Sequence, residues 1–332
     1  MREFVIRFAA LGAALALALT TGILVGGSSL APGDVVYALT HPRVTSDAAT
    51  ILWSLRLPRV AVAACVGAAL ATAGLLLQTL LRNPLVDPFL TGVSAGAGAA
   101  IALAVVAGVA APLVPLWGFA AGFGTAICVA ALGRRGGAID PERLILAGVS
   151  LSALFSAIVT LVLIGVGRTN GDAILAWLAG SVGTHGWSDL AWNAPYLLAG
   201  LALAALAVPS LNALRVGPSV ARAVGVDVER TQWLALGGAT LLTAAAVALA
   251  GVVGFVGLIV PHVARRVVGS DVRAAGAASL LLGATLVPLA DALARTIAAP
   301  AEIPLGVLLA FIGVPAFLYL YVRSSRSRSW GT

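Results

Sequence analysis

Long runs without charge constrain this chain more than any other feature. Ten apolar segments run approximately 8–28, 59–81, 91–109, 112–132, 143–165, 190–209, 231–253, 255–267, 274–297 and 304–322. A helix crosses ~30 Å of hydrocarbon with about 20 apolar residues. Nine segments meet that length. Segment 255–267 does not, and is expected to be a half-length helix buried among neighbours, where irregular backbone is tolerable at membrane depth. An eight- or nine-span reading stays open beside the ten-span one. Across 332 residues only 10% are charged and 60% are hydrophobic, against about 25% charged in an average soluble domain. The class is an all-α polytopic membrane protein, with 1–332 as one transmembrane domain.

The first segment resembles a signal peptide, with Arg2 and Arg7 before an apolar run and Ser28, Ser29 and Ala31 after it. Its run of about 20 residues exceeds a usual signal core, so an uncleaved first span is expected.

All 20 basic residues are arginine. Without lysine there is no P-loop and no Schiff-base chemistry. Cys65 and Cys128 lie far apart in apolar runs, so no redox or metal centre is expected. The net charge of +7 is assigned to cytoplasmic loops rather than to nucleic-acid binding. With the N-terminus inside and ten alternating spans, Arg2, Arg7, Arg82, Arg134, Arg135, Arg143, Arg215, Arg222, Arg230, Arg265, Arg266, Arg273, Arg323, Arg326 and Arg328 fall on the cytoplasmic side. Arg43, Arg56, Arg59, Arg168 and Arg295 fall outside. That bias favours cytoplasmic N- and C-termini and leaves five outer arginines to explain.

Ala69–Pro84 and Ala246–Pro261 share alternating alanines, an Ala-Gly pair and a proline ten residues beyond the glycine, at an offset of 177. Opposite directions across the membrane make this the pattern of an inverted repeat, with halves at about 59–165 and 231–322. Shared alanine-rich composition is the alternative.

Five motifs carry the chemistry. Leu55-Arg56-Leu57-Pro58-Arg59 places two arginines at a span's outer end. They either snorkel to lipid phosphate or dock an acidic partner in bidentate fashion. Gln78–Gly92, QTLLRNPLVDPFLTG, has Pro84 and Pro88 biasing Asn83 and Asp87 away from helix, which predicts a stiff elbow. In the loop 211–230, Gly217-Pro218 reads as a helix start and Gly225 as its stop. Between them Ser219, Ala221, Arg222 and Ala223 form a short small-residue helix, suited to another protein's cleft or to a turn at the lipid surface. Gly254–Asp271, GFVGLIVPHVARRVVGSD, contains His262, read as structural. Asp291 and Arg295 stand at i and i+4 and can pair, ahead of Pro300-Ala-Glu302-Ile-Pro304-Leu-Gly306. His185, in a Gly- and Trp-rich outer loop, could touch ligand.

Together LRLPR, RNPLVDP-x-x-x-GVSAGA, GFVGLIVPHVARR, LADALAR and AEIPLGV resemble, in order and over about 52–322, the FecCD family. Its members are permease subunits of binding-protein-dependent ABC importers for iron–siderophore complexes, haem and cobalamin. The resemblance implies ten spans, a homodimer with the path on its two-fold axis, two ATPase subunits and a periplasmic or lipoprotein binding protein, in a bacterial inner membrane. Cofactors are expected in none of this chain, with ATP and Mg on the partner subunits and hydrolysis there. The resemblance assigns Arg56, Arg59 and Arg295 to binding-protein docking. Pro218, Ser219, Ala221, Arg222, Ala223 and Gly225 become the ATPase coupling helix, and Asn83 and Leu85 part of the cytoplasmic gate. Spans 5 and 10 would line the path. Two departures stand out: Gly217-Pro218-Ser219 replaces an acidic start to the coupling segment, and Asp271-Val272-Arg273 replaces the family's Asp-His-Arg.

The cargo implied is an iron chelate, siderophore or haem, with cobalamin as the alternative. An ion-coupled secondary transporter is the rival class, disfavoured because charges gather at span ends rather than midplane.

Overall fold

The computed structural model describes residues 2–26, 31–41, 46–110, 113–135, 138–165, 168–183 and 185–328. Arg43, Ser28 and Ser29 lie outside them. The helices are α1 (Arg2–Leu24), α2 (Pro32–Thr40), α3 (Asp47–Thr50), α4 (Leu57–Leu80), α5 (Val93–Val106), α6 (Val114–Leu132), α7 (Pro141–Gly165), α8 (Arg168–Leu178), α9 (Trp187–Val216), α10 (Pro218–Ala223), α11 (Val228–Ala250), α12 (Val256–Val268), α13 (Val272–Ile297) and α14 (Leu305–Arg328). A π turn, Ile51–Arg56, joins α3 to α4, and a 3-10 turn, Pro88–Thr91, precedes α5. A small antiparallel ribbon pairs β1 (Arg134–Arg135) with β2 (Ala138–Ile139).

Each of the ten apolar segments holds a helix, and seven helices among the described residues are long and apolar enough to cross a membrane. The chain is therefore a multi-pass membrane protein. The expected half-length helix is α12, with 13 residues. Segment 91–109 also falls short of a full span, because α5 has only 14 residues. It is trimmed at both ends by glycines that turn left-handed, Gly92 at φ 75 and Gly108 at φ 70, a conformation that costs glycine little.

Helix α4 is the core. It crosses α13 where Gly67 faces Gly283, and α12 where Gly74 faces Gly257; a methyl group at any of these would collide with the opposing backbone or side chain. In lipid, helix association depends on such close approach rather than on hydrophobic expulsion. Helix α11 packs beside α4, and the two are equally buried along their apolar stretches. Each ends in a break followed by a short helix and two long ones: α4, α5, α6, α7 and α11, α12, α13, α14.

Direction follows from contacts at the ends. The Arg7 guanidinium donates to the Val267 carbonyl at 2.9 Å, so α1 begins beside the end of α12. Arg295 reaches the Val25 carbonyl at 2.8 Å, so α1 finishes beside the end of α13. The arginine motif and the Gln78–Gly92 elbow thus mark opposite ends of the bundle.

Candidate functional site

At one end, α4 and α13 bring Arg59, Asp291 and Arg295 together. Arg59 donates from Nε to Asp291 Oδ2 at 3.0 Å and from Nη2 to Oδ1 at 2.9 Å. Its other face takes Glu302, at 2.8 and 3.1 Å. Arg295 closes on Asp291 at 3.1 Å, as the i, i+4 spacing predicts. Arg295 Nη2 also donates to the Gly22 carbonyl at 3.0 Å, and Arg56 Nη1 to Leu24 at 2.8 Å. These carbonyls are the last of α1, which lack partners within the helix. The Arg59 guanidinium holds the Glu302 carboxyl below its ordinary range, against the cost of partial burial.

This cluster differs from the docking surface expected at Arg56, Arg59 and Arg295. Arg56 is 5% and Arg295 6% exposed, because both turn inward onto backbone carbonyls. Two acids of the same chain, Asp291 and Glu302, grip Arg59. Glu302 was visible in its motif, but its partner is 243 residues away, a contact no spacing rule detects.

At the other end lies the elbow. The Asn83 side chain accepts from Leu85 N at 2.9 Å and Asp87 from Phe89 N at 2.9 Å, so each residue before a proline makes a local turn instead of helix. Leu85 projects outward and is 42% exposed. Asp87 is half-buried as a whole, with its Oδ2 inaccessible. Burial raises this carboxyl to about 6, against the opposing backbone hydrogen bonds from Phe89 and Leu258. Beside the elbow opens a cavity of about 860 Å³, walled by Leu81, Arg82, Asn83, Asp140 and Glu142.

Sequence reasoning gave Gln78 no role. It is buried, donates to the Gly257 and Leu258 carbonyls at 3.0 and 3.2 Å and to Val86 at 3.3 Å, and accepts from Arg265 at 2.7 Å. One amide ties α4, the elbow and α12 together. The available signal was a lone amide in an otherwise apolar span. His262, on α12, has a buried Nε2 without a hydrogen-bond partner among the described residues.

Helix α10 forms where Pro218 and Gly225 predict it, with proline in its first turn. One residue is corrected: Ala221 is fully buried in the chain's own core, because α10 folds back against α9. Ser219, Arg222 and Ala223 face outward. So do Val216, Val220 and Val224, 68%, 44% and 66% exposed. Val216 ends α9, Val220 lies on α10 and Val224 caps it, so three exposed valines flank the break at Gly217. The unexplained Val272 also finds a reason. It is 2% exposed and its N–H donates to Asn212, while Asp271 caps α13.

Between the ends, α5 and α7 border a groove of about 460 Å³ that carries Ser94, Ser152, Ser156 and Thr160 on an apolar wall. Among the described residues no three His, Cys, Asp or Glu side chains gather to hold a metal ion.

The sequence pattern of the FecCD transport family matches residues 14–323. The cobalamin import system permease protein BtuC of Halobacterium salinarum is 39% identical over 83% of this chain and 74% of its own length. The hemin transport system permease protein HmuU of Yersinia pestis is 37% identical over 86% and 87%. A solved metal-chelate type ABC transporter in an inward-facing conformation superposes with a TM-score of 0.85, at 33% identity, covering 96% of this chain and 99% of that one.

Proposed function

The chain belongs to the FecCD transport family, and from that premise we propose that it is the permease of an ATP-driven importer carrying an iron chelate, siderophore or haem, across the bacterial inner membrane. The observation that carries the chelate is the groove along α5 and α7. Its wall offers hydroxyls and apolar surface, which suit a metal wrapped in its own organic ligands. Cobalamin meets the same description and is the second reading, supported by the archaeal relative's name.

In this reading the ten apolar segments lie within the membrane, α5 and α12 as helices too short to cross alone, both termini are cytoplasmic, and the two four-helix successions form an inverted repeat. A second copy faces α7 and α14, whose large side chains stand exposed: Leu161 at 70% and Phe311 at 77%. The path runs between the copies. Asn83 and Leu85, beside the elbow cavity, belong to the cytoplasmic gate. The face of α10 carrying Val220, Arg222, Ala223 and Val224 enters a separate ATPase subunit, which holds ATP and Mg and performs the hydrolysis. At the outer end the arginine cluster receives the binding protein. Because Arg56 and Arg295 are buried, they act by placing positive potential there and holding α1 in register. Such fields act on orientation and association rate more than on affinity.

The test is uptake into proteoliposomes containing this chain, its ATPase and its binding protein. Uptake of the chelate that the binding protein retains on purification should require ATP and proceed without an ion gradient. Uptake by this chain alone under a pH or sodium gradient would overturn the reading. Ala223→Trp should leave insertion intact and separate hydrolysis from transport, whereas Ala221→Trp should damage folding.

A further inference from the structure

We infer that the groove between α6 and α11 is a binding site for an anionic phospholipid, with an acyl chain along the groove and the phosphate at Arg134. The inference goes beyond transport and rests on these two helices crossing the membrane in the proposed orientation.

The groove encloses about 320 Å³, at the small end of the ~300–1,000 Å³ range of small-molecule sites. Its walls are Phe123, Ile127 and Ala130 on α6 and Leu236, Gly237 and Thr240 on α11. It exists because side chains are missing at the right places. Ala130 and Gly237 are small, and a Cβ at Gly237 would meet only Leu203 Cδ1, at 3.6 Å. Thr240 is buried, so what the groove presents to the bilayer is hydrocarbon and aromatic surface, with Ile127 56% exposed. A cavity of this kind at membrane depth is filled by lipid chain, since water there would lack polar partners.

The mouth supplies the charge. Arg134 opens β1, two residues beyond the end of α6, and its guanidinium carbon lies 5.0 Å from the centre of the Trp233 ring. Cation–π contact holds the guanidinium over the groove rather than free in solvent, and tryptophan is the residue that settles at headgroup level. Arg230 lies on the same face of α11 as Trp233, Gly237 and Thr240 by helical spacing. Acids are present too. Glu229 meets Arg134 at 3.4 Å, with both side chains about half exposed, and Asp227 caps α11 through Arg230 N at 3.0 Å. The Glu229 contact is single, long and solvated, and arginine has five N–H donors, so a phosphate finds donors still available. The site lies at the α10 end of the bundle, the cytoplasmic end in the proposed orientation, where the leaflet is anionic.

The experiment is native mass spectrometry of the purified chain released from nanodiscs of equal phosphatidylglycerol and phosphatidylcholine. The wild type should retain phosphatidylglycerol over phosphatidylcholine by about fivefold, the effect of roughly one basic residue at a membrane surface. Arg134→Gln should abolish that preference while keeping lipid bound. Gly237→Leu, which fills the groove, should remove the retained lipid altogether. Thermal unfolding of each variant checks that the fold is intact. Free inorganic phosphate at millimolar concentration should leave retention unchanged, because the chain as well as the headgroup is held. Equal retention of both lipids by the wild type, unaltered preference in Arg134→Gln, retention surviving Gly237→Leu, or displacement by phosphate alone would each overturn the inference.

Discussion

Helices α4 and α7 are equally apolar, yet 78% of the best spanning stretch through α4 is buried inside the chain and 11% of that through α7. Hydropathy cannot distinguish them, because in lipid both faces of a helix are in apolar surroundings. Side-chain size does. Along α4, Ala63, Gly67, Ala71 and Gly74 let α12 and α13 approach to backbone contact. Along α7, Leu146, Leu154, Leu161 and Ile164 stand outward at 55–77% exposure, with Ser152, Ser156 and Thr160 on a stripe bordering the groove. One helix is built to be packed upon, the other to meet lipid or a second copy.

The sharpest way to break this contrast is to exchange the two kinds of residue. Gly74→Leu should prevent correct packing. The new side chain would meet the Gly257 backbone, and overpacking already costs about 1–3 kcal/mol where side chains alone must move. Loss of a folded, detergent-resistant species is expected. Ser156→Leu on α7 should fold normally and impair transport alone. A stable Gly74→Leu variant would show that α4 is not the organising helix.

Next in size is the ion cluster at the Arg59 end of α4. Asp291→Ala leaves Arg59 and Arg295 short of their buried partner and should cost about 3–5 kcal/mol in unfolding free energy. Glu302→Gln, at a side chain 50% exposed, should cost under about 1 kcal/mol. Equal effects would mean that the loop, rather than α13, anchors Arg59.

The elbow that ends α4 offers a pH test. Asp87 titrates at about 6 in the fold, against an ordinary 3.8. Between these values the folded protein holds a proton that the unfolded chain lacks. Stability should therefore rise as pH falls through 6 and level off below about 4, by an amount on the order of 3 kcal/mol. Asp87→Asn should remove that rise and be the more stable protein at pH 7. A flat difference between the two across pH 4–7 would place the carboxyl in water.

The smallest effect belongs to α7. Leu161→Ala at an exposed position should change monomer stability by no more than about 0.5 kcal/mol. A larger loss that grows with protein concentration would identify α7 as part of an interface between copies.

A helix in each of the ten apolar segments, the half-length α12, the breaks at Pro84 and Pro88, the start of α10 at Gly217-Pro218 and its stop at Gly225, and the Asp291–Arg295 pair were all legible in the sequence. Each depends on neighbours within a few residues: apolar run length, the missing proline donor, or the i, i+4 register of one helix. The tertiary structure alone decided which apolar helix is interior. It also decided that Arg59 faces Asp291 and Glu302, that Gln78 bridges to Arg265, and that Ala221 of α10 points inward while Val220 points out. Those outcomes depend on which helix lies beside which across some 180 to 240 residues of chain. In a lipid solvent no polarity difference between helix faces records that choice. It is set by close packing at a few glycines, and every buried polar group must then find its partner wherever that packing has brought one.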